Sequence, residues 1–238
     1  KVSHELNSHL AAAQYPQQGT NPAPAVEHNE KLMQCWRFLC SASKLAEDNR
    51  VQCARPVELF LAPLKVRFDY HFSGQKETNR LDRPEWMFAY LIRVLSANMP
   101  FLTQFARTTG LQGPTHTQML PDLIEAMVLV VSHKVEKELL TLQSTDSAEW
   151  FAHYLNEILA FDRLLSPKFG YPLNSRTVLE GENPIEGFAV PRRRAYCLDT
   201  VTQNETLWKY WLDLDRRYAE RQFLAVLRSA DCWVPKYG

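Results

Sequence analysis

Apolar residues return along this chain at three- and four-residue intervals, and each such run predicts a helix. Residues 2–14 can form a short one. Tyr15 to His28 cannot, because three prolines and a glycine interrupt an almost wholly polar stretch, which predicts a flexible linker. From Asn29 the residues Leu32, Trp36, Leu39 and Ser43 lie on one face, widened by Met33 and Cys40, and this helix should end near Asp48-Asn49. Pro56 can start the next element, and there the pattern is ambiguous. Val66, Phe68, Tyr70 and Phe72 alternate with polar residues as a strand would, while Leu61, Leu64, Phe68 and Phe72 make an equally good helical stripe.

Further on the periodicity is cleaner. Residues 83–98 carry Trp86, Tyr90, Leu91, Val94 and Leu95 on one side. Pro100 is expected to open a separate short helix to about Thr109, followed by a turn over Gly110 to Pro114. A long helix is predicted from about Thr117 to Leu142, seamed by Leu120, Ile124, Met127, Val131, Val135 and Leu142. Asp146-x-x-Glu149 has capping-box spacing and should start a helix with Phe151, Leu155, Leu159 and either Phe161 or Asp162 turned inward, stopping by Pro167. Residues 168–192, with three glycines and three prolines, predict a long loop. A last helix covers about Thr206 to Ser229, with Asp213–Arg217 and Arg216–Glu220 as i,i+4 pairs on its wet face. The chain therefore divides into 1–28, a short helix with a Pro-rich linker, and 29–238, a bundle of six or seven helices stacked antiparallel.

Composition narrows what such a bundle can do. Lys and Arg total 27 and Asp and Glu total 27, so the net charge is zero, which argues against a general nucleic-acid surface. With only 8 glycines in 238 residues, helices fit better than turn-rich β classes. The longest apolar run, Ala126 to Val131, is far short of the ~20 residues of a membrane span. Cysteines 35, 40, 53, 197 and 232 form no CxxC pair and read as reduced, packed thiols rather than zinc ligands. The chain begins with Lys1, so it is read as a piece of a longer protein whose targeting signals would lie elsewhere.

Candidate chemistry is sparse. No Gly-rich phosphate loop, HExxH, GxSxG or DDxxD motif occurs. His71 and His133 are isolated histidines on helices. The tryptophans at 86, 150, 208 and 211 recur with other apolar residues and are expected in the core, with an interface role as the alternative. Arg192-Arg193-Arg194 is the one dense basic cluster; it follows Pro191 and should be exposed, as a possible contact for an acidic partner segment or anionic lipid headgroups.

The densest local pattern is Leu64-x-x-Arg67-Phe68-x-Tyr70-His71-Phe72-x-Gly74, then Thr78-Asn79 and Asp82-x-Pro84-Glu85-Trp86. By itself it predicts a corner: an aromatic element, a polar turn through Gly74 and Asn79, and a new helix. Asp82 and Glu85 are expected to cap that helix, Pro84 falls in its first turn, and Trp86 opens its buried face. The same string resembles the signature of the RINT/TIP family, subunits of the Dsl tethering complex (NRZ in animals) at the endoplasmic reticulum. Gly170-Tyr171-Pro172 and the Trp-rich helix around Leu207 to Leu214 are weaker matches, so that the resemblance spans roughly Arg55 to Phe223.

The resemblance implies a helix over Val66 to Phe72, because that family is helical throughout. It implies an all-α segment of a rod-like scaffold of the CATCHR type, without enzymatic activity or cofactor. The implied role is tethering in Golgi-to-endoplasmic-reticulum retrograde transport, by a cytoplasmic protein peripheral at that membrane. Implied partners are the Zeste-White-ten-type and NAG-type tether subunits, and the endoplasmic reticulum SNAREs through regions outside this segment. Alternatives are a checkpoint or other partner-binding adaptor, and a helical enzyme with a pocket near His71, Arg67, Asp69 and Glu85.

Overall fold

A computed structural model of the chain describes residues 2–12, 15–16, 34–35, 38, 55–108, 119–172 and 194–229. Among these, every regular element is a helix: α1 (Val2–Ala12), α2 (Arg55–Phe72), α3 (Pro84–Thr108), α4 (Met119–Ser144), α5 (Ala148–Phe169), α6 (Asp199–Gln203) and α7 (Glu205–Arg228). The ambiguous stretch Val66 to Phe72 is the end of α2, where Leu64, Phe68 and Phe72 are buried and Val66 and Tyr70 face outward. Helical spacing wins because burying one stripe leaves the alternate residues in solvent, whereas a strand would need a partner. Of the helix expected from Asn29 only residues 34, 35 and 38 are described, and they are helical; the turn over Gly110 to Pro114 and most of the loop over 168–192 lie outside the described residues.

Helix α4 is the axis. It packs against α2, α3, α5, α6 and α7, and its apolar face is wide enough to serve them all. Leu123, Met127, Val131, Val135, Leu139 and Leu142 form its buried seam, and Ile124 and Val128 broaden it. Burying an aliphatic side chain of this size stabilises by about 1.5–3 kcal/mol, so this seam dominates the local energetics. The connection through Thr145 to Ser147 is short and returns α5 alongside α4. Phe88 of α3 meets Phe161 and Tyr154 of α5 at ring-centroid distances of 5.0 and 6.2 Å. Both Phe161 and Asp162 are turned inward. Leu6 and Leu10 of α1 and Tyr15 are also buried. Tyr15, which opens the stretch read as a linker, donates its hydroxyl to the Phe60 carbonyl at 2.9 Å.

Two expected breaks are absent. Pro100 lies inside α3 and Pro167 inside the last turn of α5, so neither ends its helix. Helix α5 ends instead at Gly170, whose left-handed backbone (φ 66°) lets its N–H reach the Ser166 carbonyl at 2.8 Å. At the other end of α5 the expected capping box does not form. Ser147 is the cap residue, its hydroxyl meets that of Thr145 at 2.9 Å rather than capping the helix, and Asp146 accepts from the Tyr210 hydroxyl at 2.9 Å. A working side-chain cap occurs at α7, where Asn204 accepts from the N–H groups of Thr206 and Leu207.

Candidate protein-interaction surface

The corner between α2 and α3 is built from the residue string that stood out in the sequence. Gly74 has φ of +62°, in the left-handed region where a side chain is strained, and this turns the chain out of α2. The turn is closed by its own side chains. Thr78 donates its hydroxyl to the His71 carbonyl, and the Asn79 amide donates to the Gly74 carbonyl at 2.7 Å. Asn79 then accepts from Lys134 of α4 at 2.5 Å, Lys134 pairs with Glu138 at 2.6 Å, and Glu138 accepts from the hydroxyl of buried Tyr154 in α5. A run of polar contacts thus ties the corner to both neighbouring helices. Because Lys134 and Glu138 are mostly shielded from solvent, it is worth more than an open surface pair.

The signature residues divide between two tasks. Phe68, Phe72 and Pro84 face the core, and Tyr90 stacks edge-on against Phe72 at 5.2 Å. His71 packs on Tyr70 and Tyr90. Arg67 donates to the Pro16 carbonyl at 3.3 Å, Asp69 pairs with Lys65, and Glu85 reaches His153 of α5 at 3.3 Å. The four groups of the enzymatic alternative therefore point to four different places and converge on no pocket. The expected capping by Asp82 and Glu85 is likewise replaced by side-chain pairs: Asp82 with Arg80, Glu85 with Arg83 and His153. Arg80's hydrogen bond holds the Asp82 carboxyl below its ordinary range.

The corner's outer face holds the second group. Tyr70 is 63% exposed and Trp86 43% exposed, so Trp86 does not open the buried face; Met87, Phe88, Leu91 and Leu95 carry it. The helical stripe is simply rotated by one position. Lys76 lies 4.5 Å over the Tyr70 ring and Arg80 5.8 Å over the Trp86 ring. Trp150, one turn before His153, and Trp208 are also exposed, against the expectation that they fill the core, while Trp211 is half-buried. Large aromatics beside cations, carried on packed helices, make up the composition enriched at the centres of protein contacts.

The basic triplet resolves differently. Arg194 is not an exposed contact: it is 4% exposed, and its guanidinium pairs with Glu125 at 2.8 Å and with Asp122 at 2.5 Å. Arg192 and Arg193 lie outside the described residues. Glu125 also accepts the Ala195 N–H at 3.0 Å, and Asp162 of α5 accepts the N–H groups of Cys197 and Leu198 at 3.1 and 2.9 Å. Two helix-borne carboxylates thus hold residues 194–198 onto α4 and α5. Burial raises the Asp162 carboxyl to about 6, only partly opposed by its two backbone donors. The sequence carried a faint sign of this clasp, since Glu125 is a lone acid inside an apolar run, but its partner lies 69 residues away.

No group of three or more metal-ligating side chains occurs among the described residues, and none of the described helices is long and apolar enough to cross a membrane. Cys35 and Cys197 are free thiols, and burial pushes the Cys197 thiol well up.

These features define an all-α bundle whose distinctive surface is an aromatic corner. The chain belongs to the RINT-1/TIP-1 family, whose model matches residues 56–237. It is 32% identical over 176 residues to the RINT1-like protein of Drosophila melanogaster, covering 74% of this chain and 21% of that protein. It is 25% identical over 148 residues to the protein transport protein tip20 of Schizosaccharomyces pombe, covering 62% of this chain and 20% of the relative. The chain thus spans about a fifth of the length of these relatives. No solved structure matches it significantly.

Proposed function

We propose that this segment is a non-catalytic helical scaffold within a vesicle-tethering subunit of Golgi-to-endoplasmic-reticulum retrograde transport, part of a rod-like stack of bundles of the CATCHR type. The family membership supports a transport role, and the printed name of the fission-yeast relative is that of a transport protein. The observation that carries the reading to this segment is the corner itself. The residues most typical of the family are locked by a polar chain into α4 and α5, yet they leave Tyr70 and Trp86 outside the core.

A tether works by holding partners at fixed separation and orientation, which calls for stiffness together with exposed anchors. Packing around α4 supplies the first, and the corner supplies the second. The partners in this reading are the Zeste-White-ten-type and NAG-type tether subunits and the endoplasmic reticulum SNAREs, with membrane contact at most peripheral. Of the basic triplet only Arg192 and Arg193 remain for an acidic segment or lipid headgroups, because Arg194 is committed to Asp122 and Glu125.

The test is a pull-down with this chain immobilised, against purified partner tether subunits and the cytosolic parts of the SNAREs. Saturable binding that Trp86→Ala and Tyr70→Ala abolish would place a docking site at the corner. Binding indifferent to both, or none at all by a folded chain, would reduce the segment to a spacer.

A further inference from the structure

The first half of α7 is apolar both toward the bundle and away from it, and past Leu214 every residue to Ser229 is exposed, Tyr218 and Leu224 among them. Leu207, Tyr210 and Leu214 turn toward the bundle, with Tyr210 edge-on to Phe151 of α5 at 4.8 Å. On the far side Trp208, Leu212, Ala219, Phe223 and Val226 follow one another at intervals of three, four and seven residues, and all are exposed; Leu212 is 49% exposed and Phe223 63%. At 100° per residue these five fall within a single stripe about 27 Å long. An ordinary surface helix is apolar on one side only, and a helix apolar on both belongs between two layers.

The polar residues flanking the stripe show what fits it. Arg216 and Glu220 line one edge, Asp215 and Gln222 the other. When a copy of this stripe is laid antiparallel on itself, with a two-fold axis at the level of Arg217 and Tyr218, the pattern complements itself. Leu212 meets Phe223 of the second copy, and Trp208 meets Val226. Ala219 comes near the axis, where its small side chain lets the two backbones approach. Arg216 lies beside Glu220 of the second copy in both directions, and Asp215 beside Gln222. At Trp208 and Leu212 the stripe lies opposite the side of α7 that packs on the bundle.

We propose that the outer face of α7 is a self-association surface, taking a second copy of this chain as an antiparallel α7–α7 pair. Arg216 now pairs within its own helix, with Asp213 at 2.7 Å and Glu220 at 3.7 Å, and the interface adds a partner from across the axis. Such a pair has the isologous symmetry of most dimers, each contact occurring twice.

Sedimentation equilibrium of the chain tests this. The expected result is a reversible monomer–dimer equilibrium that Phe223→Glu or Leu212→Glu abolishes, with helicity unchanged and the thermal midpoint unchanged when compared at concentrations where the wild type is monomeric, because both side chains are outside the core. Arg216→Glu alone and Glu220→Arg alone should each weaken self-association by about tenfold or more. Mixed together, those two single variants should form a heterodimer, since each then supplies the charge the other lacks; repair of the pair within one helix cannot produce that outcome. A chain that stays monomeric up to its solubility limit overturns the proposal and leaves the face to a different polypeptide. So does a dimer insensitive to Phe223→Glu, or a mixture of the two charge variants that fails to pair.

Discussion

Asp162 and Arg194 show how much of this fold depends on single buried polar side chains. Asp162 accepts two backbone N–H groups in a place where burial raises its carboxyl to about 6. A folded-state value raised above the unfolded one means that the folded state holds the proton more tightly. The associated stability is present in full below about pH 4 and is lost as pH rises through about 6. Asp162→Asn, neutral throughout, should therefore gain on the wild type between pH 4 and pH 7 in urea unfolding. A stability difference that is flat across that range would show that the carboxyl is not perturbed. Asp162→Ala leaves both N–H groups without an acceptor and should cost about 1–3 kcal/mol for each at any pH. Arg194→Met removes the guanidinium from the buried Glu125 carboxylate, and the expected loss is about 3–5 kcal/mol by the same measurement. A loss under ~1 kcal/mol, the range of exposed ion pairs, would mean that the guanidinium is not seated between those acids.

Among the helices, the spacing of apolar residues carries the architecture, and proline and acid positions mislead. Gly74→Ala should cost about 1 kcal/mol, since φ is +62° while nothing crowds the added carbon. Leu91→Ala should cost about 2–5 kcal/mol, whereas Trp86→Ala, one position off the buried stripe at the start of α3, should cost under ~1 kcal/mol. Thermal or urea midpoints of the three variants check this order. A severe loss from Trp86→Ala would return that ring to the core. The seam of α4, the boundaries of α7 and its ion pairs Asp213–Arg217 and Arg216–Glu220 were all legible from periodicity. The continuity of α3 through Pro100 was not. A proline removes one hydrogen bond, and here the affected turn borders an open groove of about 620 Å³ lined by Ser96, Met99, Pro100, Arg107 and Lys168, where water can serve the freed carbonyl. Nor could spacing decide which of two adjacent positions, Trp86 or Met87, faces inward, because each fits a stripe and only the packing of α3 on α5 selects one. The 194–198 clasp was illegible for a plainer reason: Arg194 lies 69 residues from Glu125 and Cys197 lies 35 from Asp162, and a triplet of arginines reads as surface.

The whole molecule is a bundle wound on α4 with two unsatisfied surfaces, the aromatic corner and the outer side of α7. Both expose large apolar side chains to solvent. Family membership was readable from the corner's residue string, because unrelated helical bundles have no reason to repeat that combination of aromatics, turn residues and helix start. Which of those residues are buried and which are exposed was not readable, since the same string contributes Phe68 and Phe72 to the core and Tyr70 and Trp86 to the surface. The most direct test of a tethering scaffold is the affinity of the folded chain for purified partner tether subunits, measured for the wild type and for Trp86→Ala. Saturable binding by the wild type, reduced at least about tenfold in the variant while its unfolding midpoint holds, is the expected result. Equal affinities for the two, or no binding by either, would contradict a docking role for the corner.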